Sequence, residues 1–175
     1  MTAQHKMLDI VTESGEAMAT ASYDEAHKYG LRHRSAHVLV ANSKKEIFLQ
    51  KRAKTMLTLP GFYENSAAGQ VDSGDSVEQT ALQELEEELG IKAKPQDLID
   101  LGDFHYVNKY RADWMDNEIA RLYLLHYDGG ITIDKDEIEE GSFRSIADIK
   151  RMIAKGERFS PVFLEMFKRY QKLEG

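Results

Sequence analysis

One stretch of the chain, residues 69–91, limits the possible folds more than any other. It begins with small residues around Gly69 and enters a predicted helix at Ser76, which forms a capping box with Gln79. Gly90 is a typical residue for the end of that helix. Between these ends, apolar residues recur at helical spacing and predict one buried face: Val77, Ala81, Leu82, Leu85 and Leu89.

The remaining face of this helix carries three carboxylates, Glu84, Glu87 and Glu88. Residues three and four apart are neighbours on a helix, so these like charges repel one another. A divalent cation would offset the repulsion. Hard oxygen ligands beside a glycine-rich loop suit Mg²⁺ or Mn²⁺, above all when a phosphate supplies further oxygens. The alternative is an acidic helix surface in solvent, and the carboxylates by themselves leave it open.

The composition limits the class of partner. The chain has 175 residues, no cysteine, and 30 acidic against 23 basic residues, which gives a net charge of −7. That balance argues against nucleic acid polymers and anionic membranes as partners. Without cysteine there is no disulfide, thiolate metal site or cysteine nucleophile. We see no signal-type or membrane-spanning run, so we expect a cytoplasmic protein that acts on a small molecule.

The rest of the pattern predicts an α/β (α+β) fold in one domain over residues 1–175. Alternating, β-branched segments predict strands over residues 8–13, 17–20, 35–41, 46–51, 101–110 and 118–127. Start and stop signals predict further helices over residues 22–30, 146–155 and 162–173. Residues 52–65 and 111–117 are predicted loops, and a short extended piece begins at Phe143.

Residues 69–91 resemble the Nudix box, the signature of the Nudix hydrolase superfamily. Seven box positions are filled in register, by Gly69, Glu84, Leu85, Glu87, Glu88, Gly90 and Ile91. Two positions depart from the box, because Asp75 stands where the family has Glu and Gln83 where it has Arg. In the family these two residues brace the loop against the helix. Asp75 and Gln83 could keep a hydrogen bond there, but not the ion pair.

The resemblance implies a Nudix α/β/α sandwich with a mixed sheet. It also implies metal-dependent cleavage of a diphosphate linkage in a nucleoside diphosphate derivative or a related organic diphosphate. Mg²⁺, or Mn²⁺, would be held by the Gly69 carbonyl and by Glu84, Glu87, Glu88 and a downstream acid. Glu118 is the first candidate for that acid and Asp116 the second, the alternative being two exposed loop acids. Glu84, Glu87 and Glu118 are the candidates for the base that takes a proton from water.

Short segments at residues 31–34, 59–62, 117–119 and 159–161 resemble type I isopentenyl-diphosphate isomerase. The overall pattern looks closer to bacterial isomerase-like Nudix hydrolases of the YfcD type. Residues 1–34 would then be an isomerase-like N-terminal extension. Isomerases have a catalytic Cys where this chain has Ala68, and a metal-binding His where it has Gln70. Alanine cannot exchange the proton that isomerisation requires, which favours hydrolysis. An isomerase-like protein acting on prenyl diphosphates and a noncatalytic Nudix-like binding domain remain the alternatives.

The resemblance also suggests further contacts. Arg52 and Lys54, with Arg34 as a third candidate, would bind the substrate phosphates, and only the guanidinium groups offer paired donors. The alternative is a solvated basic loop. His33 aligns with an isomerase metal ligand and His27 lies one residue out of register with another, although either could be structural. Many relatives form dimers, so a homodimer is left open.

Overall fold

The structure is a computed structural model, and it describes residues 6–174. The strands are β1 (Met7–Val11), β2 (Ala17–Ser22), β3 (His33–Ala41), β4 (Ile47–Arg52), β5 (Tyr63–Glu64), β6 (Ala67–Gln70), β7 (Leu98–Arg111), β8 (Trp114–His126) and β9 (Ile138–Arg144). The helices are α1 (Tyr23–Tyr29), α2 (Val77–Leu89), α3 (Ile146–Ala154) and α4 (Pro161–Glu174). A short 3-10 helix spans Pro95–Asp97.

Strand β3 is the centre of the larger sheet. It pairs with β8 in parallel and with β4 and β6 in antiparallel fashion, which makes the sheet mixed. The seven strands run in the order β5-β4-β3-β8-β7, with β6 attached to β3 and β9 attached to β4. β1 and β2 form a separate hairpin. Because β3 touches both β6 and β8, it brings the glycine loop and the downstream acids to one region.

The two faces of the sheet are each covered by helix. Successive side chains of a strand point to opposite faces, so Val38 and Val40 pack in one core with Leu85 of α2. Leu39 packs in the second core, which contains the apolar side chains of α4: Val162, Phe163, Met166, Phe167 and Tyr170. This arrangement confirms the predicted α/β/α sandwich with a mixed sheet.

Helix α2 begins and ends where the sequence predicts. The Ser76 hydroxyl accepts from the Gln79 amide at 3.2 Å, and the Gln79 side chain accepts from the Ser76 amide at 2.9 Å. Gly90 adopts the left-handed conformation, with φ of 67°, and ends the helix. Leu85 and Leu89 are fully buried as expected, whereas Leu82 is only partly buried.

The predicted loop over residues 111–117 is wrong. β7 continues to Arg111 and β8 begins at Trp114, so the turn contains only Ala112 and Asp113. Cross-strand pairing extends both strands beyond what the local sequence indicates. As a result Asp116 and Glu118 lie on a strand and are buried, which excludes the alternative that they are exposed loop acids.

The hairpin β1-β2 packs beside the loop that leads into α2. The Ser73 amide donates to the Met7 carbonyl at 2.7 Å, and Leu8 forms an isolated bridge with Asp72. Leu8 is fully buried in a small core with α1. Within residues 6–174, none of the helices has the length and apolar character needed to cross a bilayer. The single-domain organisation stays a prediction.

Replacing Leu85 by Ala tests how strongly the packing of α2 stabilises the fold. Leu85 is fully buried between α2 and the sheet, so we expect a loss of about 2–5 kcal/mol in the free energy of unfolding, measured by urea denaturation. Leu164→Ala is the control, because Leu164 is 40% exposed on α4 and its loss should stay within roughly 0.5 kcal/mol. Equal losses for both variants would contradict this packing.

Candidate active site

Glu88 joins α2 to the loop that contains Gly69. One of its carboxylate oxygens accepts from the Ala68 amide at 2.9 Å and the other from the Gln50 side chain at 2.7 Å. The Gln50 side chain also donates to the Ser66 carbonyl at 3.1 Å, which fixes its orientation. Burial raises the pKa of Glu88 well above its usual value, against the opposing effect of these two hydrogen bonds. Both Glu88 oxygens are therefore held in place by hydrogen bonds between α2 and the strands of the sheet.

Glu84 lies directly against the backbone of Gly69. A Cβ atom at position 69 would lie 1.9 Å from Glu84 Oε1, so any larger residue would require the Glu84 side chain to move. Glu84 is nine-tenths buried and accepts no hydrogen bond from any described residue. Its nearest cation is Lys6, whose Nζ lies 3.9 Å from Oε1. Burial raises the pKa of Glu84 to about 7.

Glu87 and Gln83 lie at the solvent-exposed edge of the site. The Gln83 side chain donates to Glu87 Oε1 at 2.8 Å instead of bonding to Asp75, so the predicted hydrogen bond between Asp75 and Gln83 is wrong. The reason is the helical spacing of four residues, which places Gln83 and Glu87 on adjacent turns. Gln83 thus orients a box carboxylate rather than the loop.

Glu118 lines the same pocket, and both of its carboxylate oxygens accept hydrogen bonds. Ser35 Oγ donates to one of its oxygens at 2.6 Å and Gln70 Nε2 to the other at 2.8 Å. His37 Nε2 and His33 Nε2 lie 3.6 and 3.9 Å from the carboxylate. Burial alone raises the pKa of Glu118, but the nearby imidazoles of His37 and His33 and the hydrogen bond from Ser35 outweigh it and lower the pKa to about 2.

Asp116 belongs to a second buried network next to Glu118. It accepts from the Tyr110 hydroxyl at 2.7 Å and lies 3.1 Å from His27 Nε2. Tyr110 in turn contacts the Tyr106 hydroxyl at 2.9 Å. Burial lowers the pKa of His27, yet Asp116 and the Tyr23 carbonyl raise it overall. Both Asp116 and His27 therefore have partners within the protein.

Of the three predicted phosphate-binding side chains, one lies in the pocket and two lie outside it. Arg52 lines the pocket, where its guanidinium donates to Glu64 at 2.8 Å and to the Thr58 carbonyl at 3.0 Å. Lys54 is exposed and pairs with Glu139, and Arg34 pairs with Asp9. Neither Lys54 nor Arg34 lines the pocket, so this arrangement does not support them as phosphate ligands.

The pocket has a volume of about 280 Å³ and an excess of negative charge. Six carboxylates line it, those of Glu64, Glu84, Glu87, Asp116, Glu118 and Glu137. Against them stand the two side-chain cations of the lining, Lys6 and Arg52, and Arg52 is paired with Glu64. An anionic ligand entering this pocket would meet net repulsion unless a cation accompanied it.

The oxygen atoms around Gly69 are suitable ligands for a hard divalent cation. They are carboxylate and backbone oxygens, and the buried Glu84 carboxylate has no hydrogen-bond donor of its own among the described residues. Within residues 6–174, no three His, Asp or Glu side chains lie close enough to hold an ion unaided. Mg²⁺ commonly binds through one or two carboxylates and completes its shell with water and substrate phosphates, so the donor set suits it.

Several pocket residues escaped the sequence analysis as functional candidates, among them Lys6, Tyr106 and Glu137. Lys6 precedes β1, Tyr106 lies in the middle of β7, and Glu137 precedes β9. None belongs to a motif, and only the tertiary pairing brings them to the site. Glu137 adds negative charge near Glu84 and Glu88 and contributes to their raised pKa values.

Comparison with known proteins decides the family. The model of the NUDIX domain matches residues 31–167, which is most of the chain. The chain belongs to the Nudix family. It is an enzyme of the Nudix pyrophosphohydrolase type, as the box and the related hydrolases indicate.

Sequence relatives of this Nudix protein include the uncharacterised Nudix hydrolase YfcD of Escherichia coli. That protein is 28% identical over 170 residues, covering 97% of this chain and 89% of the relative. Isopentenyl-diphosphate Delta-isomerase 1 of Photorhabdus laumondii is 27% identical over 151 residues, covering 86% of this chain and 85% of the isomerase. Both resemblances predicted from the sequence are thereby confirmed.

Solved structures agree on the fold. DR0079 from Deinococcus radiodurans superimposes with a TM-score of 0.76 at 21% identity, covering 94% of this chain and 98% of that one. The Nudix domain of NrtR from Shewanella oneidensis, solved in complex with ADP ribose, gives a TM-score of 0.61 at 14% identity. It covers 81% of this Nudix chain and 88% of its own.

Replacing Gly69 by Ala tests the contact between the loop and Glu84. The added methyl group must displace the Glu84 carboxylate, so we expect a loss of about 1–3 kcal/mol in the free energy of unfolding. The measurement is thermal and urea denaturation. Gly130→Ala is the matched control, because nothing lies within 4 Å of the Cβ it would add. A Gly69 variant as stable as the Gly130 variant would refute the close approach.

Proposed function

We propose that this protein is a Mg²⁺-dependent hydrolase, with Mn²⁺ as a substitute. Its substrate would be a nucleoside diphosphate derivative or a related organic diphosphate, cleaved at the diphosphate linkage. The observation that carries the proposal is the placement of the Nudix box carboxylates, since Glu84 and Glu88 are buried beside an acidic pocket instead of facing solvent. A diphosphate can occupy such a pocket when a divalent cation offsets the charge.

The proposed ligands of the ion are the Gly69 carbonyl and the carboxylates of Glu84, Glu87 and Glu88. Glu88 can take part while it stays bonded to Gln50 and Ala68, because each carboxylate oxygen has two lone pairs. A bound ion would supply a water of lowered pKa and would neutralise the phosphoryl oxygens. Glu118 stays a further candidate ligand, because the same argument applies to its two oxygens, which accept from Ser35 and Gln70.

Glu84 is the proposed base that takes the proton from the attacking water. The water oxygen bonds to phosphorus, the bond from phosphorus to the bridging oxygen breaks, and the bridging oxygen leaves with the second phosphate. Glu118 is a weaker candidate for the base, because its hydrogen-bond donors and the neighbouring imidazoles lower its pKa. Arg52 would contact the nonreacting phosphate with the N–H groups that Glu64 and Thr58 leave free.

Isomerisation is disfavoured by Ala68, which lines the pocket and carries only a methyl group. Its amide donates to Glu88, so the residue acts through its backbone. Prenyl diphosphates remain candidate substrates for hydrolysis. The experiments that follow test which diphosphate is hydrolysed and whether the reaction depends on a metal ion.

The first experiment removes the metal. ADP-ribose, a dinucleoside polyphosphate and isopentenyl diphosphate are incubated with the protein, and phosphate-containing products are quantified. With Mg²⁺ or Mn²⁺ we expect turnover of at least one compound. EDTA should reduce that turnover to the background rate, and added Mg²⁺ should restore it. Turnover that persists in EDTA would contradict metal dependence, and no turnover of any of these compounds would contradict the proposed substrate class.

The second experiment replaces Glu84 by Gln. Loss of the base and of a charged metal ligand should lower kcat by about 10²–10⁴-fold on the substrate found above. Glu86→Gln is the matched control on the same helix, because Glu86 is exposed and pairs with Lys92. Its kcat should equal that of the unmodified protein. Circular dichroism of both variants checks that the fold is intact, and full activity of the Glu84 variant would refute its assigned role.

A further inference from the structure

The side chain of Lys6 occupies a position that is suited to a cation. Its ammonium donates to the Gln70 carbonyl at 3.3 Å. It lies 3.8 Å from Asp72 Oδ1 and 3.9 Å from Glu84 Oε1. These three oxygens come from the loop and the helix of the Nudix box. Lys6 therefore supplies the positive charge nearest to Glu84 among the described residues.

The backbone of Lys6 is fixed, whereas its ammonium is held only weakly. The Lys6 carbonyl accepts from the Tyr23 amide at 2.9 Å, and the next residue, Met7, accepts from the Ser73 amide at 2.7 Å. Both carboxylates near the ammonium lie beyond hydrogen-bond distance, and the side chain is 30% exposed. Such a side chain can contact another partner at little cost in free energy, while the backbone of the residue stays in place.

The two positively charged side chains of the pocket, Lys6 and Arg52, differ in how firmly their charged groups are held. Arg52 is locked by Glu64 and Thr58, with three donor groups engaged. Lys6 has a single hydrogen bond, to a neutral carbonyl. When a diphosphate enters, Arg52 can contact it only from its fixed position, whereas Lys6 can turn towards the ligand to form a new charge-assisted hydrogen bond.

We propose that Lys6 is a substrate-positioning residue which exchanges partners during binding. In the free protein its ammonium neutralises Glu84, and a divalent cation displaces it from there. The displaced ammonium then contacts the phosphate oxygens of the ligand. The second half of this exchange rests on the proposed function, because it requires a diphosphate ligand, whereas the first half concerns the metal alone.

The exchange predicts effects of opposite sign for Lys6→Met. Titration with Mn²⁺ alone, followed by the electron paramagnetic resonance of the free ion, should give roughly two- to fivefold tighter binding, the size expected for a partly exposed charge pair. Inorganic pyrophosphate is then titrated calorimetrically into protein saturated with Mn²⁺. Here the variant should bind about tenfold or more weakly, because a charged hydrogen bond is lost. A folding defect would weaken both ligands and cannot imitate this pattern.

Two further variants serve as controls. Lys6→Arg keeps the charge and should restore both affinities to within about twofold. Lys28→Met removes an exposed lysine of α1 that does not line the pocket, and it should change neither affinity. Unchanged Mn²⁺ affinity in Lys6→Met, or unchanged pyrophosphate affinity, would overturn the proposal. If both effects appear but no diphosphate is hydrolysed, the exchange stands and the proposed enzymatic function fails.

Discussion

Two glutamate side chains are buried where α2 meets the glycine loop, and the organisation of the pocket depends on how their charges are balanced. Burying a carboxylate costs free energy unless hydrogen bonds or an opposite charge compensate it. Glu88 has that compensation from Gln50 and from the Ala68 amide. Glu84 has only the distant ammonium of Lys6. The fold thus leaves the buried carboxylate of Glu84 without a close hydrogen-bond donor or cation. This is the arrangement expected of a site that binds a metal ion.

Strand β3 explains why the loop that contains Gly69 and the side chain of Glu118 lie in the same pocket. It is antiparallel to β6 on one part of its length and parallel to β8 over residues 33–41. Ser35 is in register with Gln70, and both side chains reach the same carboxylate, that of Glu118. A change in the pairing of β3 would therefore disturb the glycine loop and the Glu118 network together. The geometry of the site therefore depends on the pairing of the strands as well as on the residues of the Nudix box.

The parts of the structure that the sequence predicts well are those encoded locally. The cap at Ser76, the stop at Gly90 and the apolar spacing between them define α2 without any tertiary information. The length of β7 and β8 was underestimated, because pairing between the strands extends them. Lys6 and Glu84 are far apart in sequence, and no local pattern predicts their approach. The pairing of Arg34 with Asp9 of β1 is equally distant in sequence and equally absent from any local pattern.

The hairpin β1-β2 also accounts for the tolerance of Asp75 and Gln83 at box positions where the family has Glu and Arg. The loop over residues 71–74 is held from outside the box. Ser73 donates its amide to the Met7 carbonyl and its hydroxyl to Asp9 at 2.6 Å. Asp9 in turn accepts from Arg34, which ties the loop to the start of β3. These contacts stabilise the loop without an ion pair between positions 75 and 83, and they leave Gln83 free to orient Glu87.

The segment that precedes the region matched by the family model therefore shapes the active site directly. It does so through the contacts of Met7 and Asp9 with the loop and through the side chain of Lys6.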